Sequence, residues 1–263
     1  METGQKESKS AVLSRLSDFS KALTVIIVGS IILMLIGIGI FIAVTVITKP
    51  FSPDIKDDVY LKYFVTDSSQ TNEKCVRVVG FTYNGLQQET IEIPSEIGGY
   101  PVLEMGYTDY DNYPDYEFTS QNLKKLYLYA DVDVLDRFGG HEMDLMLCSV
   151  RDDLTHLIGS HFSTKNIYYY KSLIDDVSSG YTLKPANVVF MNNYSNEVNG
   201  GYYSLDNVNA GELIRKPTDP KRNGYEFNGW YTDEDCKTVW DFSVAPTIGE
   251  NEEFRLYADW EAV

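Results

Sequence analysis

The chain has 263 residues, with 22 Lys+Arg against 39 Asp+Glu and a formal net charge of −17 at pH 7. The imbalance lies downstream, where residues 49–263 hold 18 basic and 36 acidic side chains; this excludes the basic footprint that nucleic-acid phosphates require and argues against adsorption to anionic lipid. With 43% hydrophobic and 13% aromatic residues, the chain is not a disordered acidic tail and can close one or two packed cores.

Residues 1–21 carry Lys6, Lys9, Arg15 and Lys21 and predict a cytoplasmic tail. Residues 22–48 hold no charge and are rich in Ile, Val, Leu and Gly. A helix over them reaches about 40 Å at about 1.5 Å per residue, enough to cross a hydrocarbon core of about 30 Å. The run is nearly double the roughly 7–15 apolar residues of a cleaved signal peptide, and no small-x-small site closes it before Pro50. It therefore reads as an uncleaved transmembrane signal-anchor. The basic residues upstream, set against Lys49, Lys56 and Lys62 mixed with Asp54, Asp57 and Asp58 downstream, place the N-terminus inside and the C-terminal domains outside the plasma membrane. No wall-sorting sequence closes the chain, so attachment is expected through this helix. Residues 49–59, with Pro50, Pro53 and the acidic cluster, predict an extended linker.

From residue 60 the pattern is one of short β-forming runs between Gly, Asn, Asp and Pro: 60–64, 76–83, 89–93, 123–129 and 166–170. Ile91 with Ile93, and Leu126 with Leu128, alternate as a buried strand face does. Further apolar clusters at 102–105 and 132–135 recur in a similar order, which predicts an irregular solenoid whose units bury their apolar faces against their neighbours. Residues 89–106 (ETIEIPSEIGGYPVLEMG) resemble a BspA-like leucine-rich repeat, 122–138 (NLKKLYLYADVDVLDRF) a second copy and 154–170 a degenerate third. The strand spacings from Ile91 to Leu126 and on to Ile167 are 35 and 41 residues, longer than the family's unit, and the insert GYTDYDNYPDYEF departs most.

Past residue 185, Pro217 and Pro220 end one element and Gly224 permits a positive-φ turn. Tyr225, Phe227 and Gly229 then alternate along a strand, and Leu256, Ala258 and Trp260 form a second alternating face. The stretch PTDPKRNGYEFNGWY (217–231), with Trp240, Asp241, Phe242 and the closing LYADW (256–260), resembles the internalin-type B-repeat, also called the Listeria/Bacteroides repeat. The family often has a basic residue where Asp259 stands, on the exposed side by alternation. The resemblance implies a β-grasp-like sheet with one helix, near 233–237 or between the first two strands. Together these readings predict a membrane-anchored, mainly β ectodomain. It comprises one N-terminal transmembrane α-helix, an irregular leucine-rich-repeat-like solenoid over 60–185, and a small β-grasp-like B-repeat domain over 186–263.

Signatures of chemistry are missing from the sequence. His141, His156 and His161 have no ligand spacing; His141-Glu142 is followed by Leu145 where a zincin helix needs a second histidine. There is no G-x-S-x-G elbow and no phosphate loop, and Asn199-Gly200-Gly201 reads as a hairpin turn. Asp109, Asp111 and Asp115 are spaced like a calcium loop, but Pro114 replaces its glycine and Ser120 its closing glutamate. Cys75, Cys148 and Cys236 fit neither a disulfide framework nor a zinc site and predict free thiols. Twenty tyrosines offer rigid contact area with a polar tip for a protein or glycan, although most serve packing in a strand-rich protein. No catalytic, cofactor-binding or metal site is therefore expected. The expected partners are the bilayer, through residues 22–48, and a protein or glycan ligand. The resemblances imply a single-pass bacterial cell-surface protein that recognises or adheres without catalysis. The alternative is an envelope scaffold assembling with other membrane proteins of the same cell.

Overall fold

A computed structural model describes residues 56–106, 118, 120–132, 134–135, 143–148, 164–171, 183–194 and 201–263. The expected tail, the transmembrane helix over 22–48 and the linker as far as residue 55 lie outside the described residues. Among the described residues no helix is long and apolar enough to cross a membrane. Pro53–Val263 form a compact unit of their own.

That unit is mainly β, and its strands follow the runs of branched and aromatic residues. β1 (Lys56–Asp57), β2 (Leu61–Asp67) and β3 (Lys74–Phe81) form an antiparallel start, and a 3-10 turn at Gly85–Gln87 follows. Gly85 is required there because a Cβ would lie 2.3 Å from the Tyr60 carbonyl oxygen. β4 (Thr90–Ile93), β5 (Glu96–Ile97), β6 (Tyr100–Met105), β7 (Lys125–Leu128) and β8 (Val134–Leu135) come next, with β3, β6 and β8 pairing in parallel.

A second sheet stacks β4, β7, β9 (Asp144–Leu147), β10 (Asn166–Tyr169) and β11 (Leu183–Pro185), all parallel. Its register aligns Ile91, Leu126, Leu145, Ile167 and Leu183 in one column. β9 falls inside the interval read as a single 41-residue unit, so Leu126, Leu145 and Ile167 are 19 and 22 residues apart. Asn166 Nδ2 donates to Asp144 Oδ1 at 2.7 Å and ties adjacent rungs.

Both faces of this sheet are covered, as parallel strands require. On one side Ile91, Ile93, Leu126, Leu128, Leu145, Leu147 and Ile167 join the β3 and β6 side chains Val76, Val78, Val102 and Met105 in the first core. On the other, Tyr127, Met146 and Tyr168 meet Ala186, Val189, Tyr202 and Leu205 in a second core. The C-terminal sheet supplies Val189, Tyr202 and Leu205, and Ala186 lies just ahead of its first strand. The sheet runs β13 (Tyr202–Asp206), β12 (Val188–Met191), β15 (Phe254–Ala262), β14 (Tyr225–Tyr231), with β12 parallel to β15 and the outer pairs antiparallel. A third core beneath it holds Val188, Phe190, Val208, Ile214, Trp230, Leu256 and Ala258.

The strand order is that of a β-grasp, but the expected helix is absent from its described residues. β13 crosses to β14 through irregular chain containing Gly211, Pro217 and Pro220, residues that oppose a helix, and Val208 and Ile214 fill the space beneath the sheet. Residues 233–237 form a turn instead: Asp233 accepts the N–H groups of Lys237 and Thr238, each at 3.0 Å. The alternation over β14 is also broken. A bulge between Phe227 and Gly229 shifts the register, so that Phe227 and Trp230 both reach the third core. Leu256 and Ala258 are buried and Trp260 packs against them, as their alternation predicts. Asp259 is half-buried rather than exposed and accepts Asn228 Nδ2 at 3.2 Å.

Candidate binding cleft and the seam beside it

Lys125 and Tyr127 alternate on β7 and therefore share the face that meets the C-terminal sheet, where Asp206 ends β13. Asp206 Oδ1 accepts Lys125 Nζ, the Tyr127 hydroxyl and the Asn207 N–H, each at 2.8 Å, and Oδ2 accepts the Arg215 N–H at 3.2 Å. Lys125 also donates to the Asn207 carbonyl at 2.9 Å. A carboxylate with 1% of its side chain exposed is thus satisfied by four donors from both halves of the unit. Burial, reinforced by the Asp206 charge, holds the Tyr127 phenol well above its ordinary pKa, so it stays a neutral donor.

Arg215 extends the seam. Its guanidinium lies 4.7 Å from the Tyr127 ring centre and Nη1 donates to Glu92 Oε1 at 2.8 Å. Burial alone lowers the Arg215 pKa, but the Glu92 charge and hydrogen bond outweigh it and raise it. Thr218 Oγ1 donates to Glu92 Oε2 at 2.5 Å. The Tyr129 and Ser204 hydroxyls hydrogen-bond at 2.8 Å, and Cys148 Sγ lies 3.6 Å from Ser204 Oγ. Burial pushes the Cys148 thiol up to about 12, so no thiolate forms at neutral pH.

Beside this seam opens a cleft of about 380 Å³. Tyr129 and Tyr203 form an aromatic wall, their ring centres 5.3 Å apart and tilted by 38°. The Tyr203 hydroxyl donates to the Thr218 carbonyl at 2.9 Å, so both phenols are tied in place. Glu92 and Thr218 line one side and Ser95, Glu96, Asp219 and Lys221 the rim. The electrostatics are local: Glu92 is engaged by Arg215, and Asp219 pairs with Lys216 at 2.9 Å. Glu96 and Lys221, of opposite sign and both exposed, are the other charged residues of the lining, and Pro94 adds an apolar one. The arrangement can hold a small polar molecule against a rigid aromatic surface.

Of the residues weighed for chemistry in the sequence, none of those described lines this cleft. His141, Glu142, His156, His161 and the Asp109, Asp111 and Asp115 loop lie outside the described residues. Leu145 is a core residue, and Ser120 is buried with its hydroxyl donating to the Leu86 carbonyl at 2.8 Å. Gly201, at φ 77°, precedes β13 in an antiparallel hairpin with β12, while Asn199 and Gly200 lie outside the described residues. No disulfide joins Cys75, Cys148 or Cys236. Among the described residues no group of three or more His, Cys, Asp or Glu is placed to hold a metal ion. The cleft itself had no local signal beyond the abundance of tyrosine, because its walls come from segments far apart in the chain.

Residues 190–259 match the Listeria–Bacteroides repeat domain, the region that forms the C-terminal sheet. Three relatives are similar over short stretches. A protein of Evansella cellulosilytica provisionally named a membrane protein is 51% identical over 49 residues, 19% of this chain and 7% of the relative. A second, provisionally named a Gly-rich membrane protein of the same organism, is 35% identical over 88 residues, 33% of this chain and 10% of the relative. Internalin H of Listeria monocytogenes is 42% identical over 53 residues, 20% of this chain and 9% of the relative. The matched stretches therefore span a tenth or less of those proteins.

Proposed function

We propose that the chain is a single-pass bacterial cell-surface protein. Residues 22–48 anchor it in the plasma membrane with the N-terminus cytoplasmic, and its acidic ectodomain is a non-enzymatic recognition or adhesion module for a protein or glycan. The observation that carries this reading is the Listeria–Bacteroides repeat domain packed, through a buried charged seam, onto a ladder of parallel strands. Such a joint favours a fixed presenting surface over a flexible tether. The 19- and 22-residue rungs support reading residues 60–185 as a leucine-rich-repeat-like solenoid. The uncharged run over 22–48 and the naming of two relatives as membrane proteins support the anchor. The test is binding of the fragment from Asp54 to Val263 to cells, matrix and envelope material. A saturable isotherm is expected; binding no greater than that of an unrelated acidic protein would contradict the reading.

A further inference from the structure

The cleft at the seam has a composition that selects a ligand class. Its volume of about 380 Å³ is near the lower end of small-molecule sites, roughly 300–1,000 Å³, and suits one or two sugar-sized rings rather than a folded loop. Its charge is the deciding feature. The protein as a whole is at −17, yet two of the three carboxylates that line the cleft are ion-paired to cations outside the lining, Glu92 to Arg215 and Asp219 to Lys216. The other two charged lining residues, Glu96 and Lys221, are of opposite sign. A cationic peptide side chain would need unpaired carboxylates in excess, and an acidic ligand would need unpaired cations in excess. A neutral ligand needs neither.

The wall is aromatic without being a deep apolar socket. Tyr129 and Tyr203 line the cleft, and their π-systems attract polarised C–H groups, while Ser95, Glu96 and Lys221 supply hydroxyl, acceptor and donor groups within one rim. A purely apolar ligand would leave that rim without partners, whereas a pyranose ring has an apolar C–H face and a hydroxylated edge. The wall is also preorganised. Tyr129 is tied to Ser204 and Tyr203 to the Thr218 carbonyl, and the Tyr203 ring stacks 6.1 Å from Trp230 in the third core. Fixed rings lose little rotamer freedom when a ligand settles on them.

We propose that this cleft is a carbohydrate site that takes one or two rings of a neutral glycan, with its C–H groups against the Tyr129 and Tyr203 rings and its hydroxyls on Ser95, Glu96 and Lys221. The proposal rests on the surface-recognition reading above and names its ligand class and its place in the fold.

The test uses the full chain in detergent micelles with lactose, maltose, cellobiose and chitobiose at millimolar concentration, read by saturation-transfer NMR and titrated by calorimetry. At least one of these disaccharides is expected to bind saturably. The Ser95→Trp variant, which fills the cleft from an exposed rim position, and the Glu96→Gln/Lys221→Ala pair are each expected to weaken that binding at least tenfold with an unchanged far-UV spectrum. Failure of all four to saturate would overturn the proposal, as would binding that survives Ser95→Trp. So would preferential binding of sialyllactose or of a lysine-rich peptide that Ser95→Trp abolishes. Protease accessibility on intact cells separates this from the broader reading. Digestion there without disaccharide binding removes the cleft proposal and leaves the surface reading. Protection until lysis removes the surface reading whatever the cleft binds.

Discussion

Asp206→Ala removes one buried carboxylate and with it the acceptor for Lys125, Tyr127, Asn207 and Arg215. Removing one partner of a buried pair costs about 3–5 kcal/mol, because the other charge is left without compensation. The Lys125 side chain keeps 20% exposure, so it rehydrates in part and the expected loss is near the lower end, about 3 kcal/mol. With a urea slope of about 3 kcal/mol/M for a unit of this size, the midpoint falls by about 1 M. The assay has a built-in division of labour. Trp230, Trp240 and Trp260, the chain's three tryptophans, all lie in the C-terminal half, so fluorescence follows that half while far-UV circular dichroism follows all the strands. In the wild-type unit the two transitions are expected to coincide, and in Asp206→Ala to move together. A cycle with Lys125→Met should give a coupling above about 1 kcal/mol. A loss under about 1 kcal/mol, or separate wild-type transitions for the two probes, would refute the claim that the seam fuses the halves.

Trp230→Ala empties the third core, where Trp230 packs edge-on to Phe190 and Phe227; a loss of about 3–5 kcal/mol by denaturant titration is expected, and a loss within about 1 kcal/mol would contradict that packing. Burial alone raises the Glu104 pKa, but hydrogen bonds from Ser69 and the Arg77 pair outweigh it and hold it below the ordinary 4.5. A lowered folded-state pKa gives a contribution that is complete above the unfolded value and lost as pH falls through the folded one. Glu104→Gln should therefore cost roughly 2 kcal/mol at pH 7, and its melting-temperature gap to wild type should narrow below pH 4.5; a gap equal at pH 3 and pH 7 would count against the pairing. In N-ethylmaleimide labelling followed by mass spectrometry, Cys75 and Cys148, both buried, should stay unmodified in the native protein while half-buried Cys236 reacts slowly. Rapid modification of Cys148 would contradict its burial.

The sequence exposed the parts of this fold that depend on local pattern. Ile91 with Ile93 and Leu126 with Leu128 share a buried face because alternation is a property of one strand. It could not expose the second buried face. Tyr127 lies between two core leucines and reads as the solvent side of a half-buried strand, yet it is 1% exposed because the C-terminal sheet covers it. β9 escaped notice for a related reason: its short apolar run carries no alternation when both faces are covered. The bulge at Asn228 shifted the pattern by one residue, and the helix implied by the repeat resemblance gave way to chain rich in Gly and Pro. Asp206 and Lys125 are separated by 81 positions, and no periodicity links such a pair. The cleft inherits this limit, since Glu92, Tyr129, Tyr203 and Thr218 come from four segments that only the stacked sheets bring together.

The proposed display of the C-terminal unit outside the cell is open to protease treatment of intact cells producing the full chain, with a lysed control and a cytoplasmic marker. Digestion of Pro53–Val263 is expected in intact cells while the cytoplasmic marker survives. Protection of that unit until lysis would contradict it.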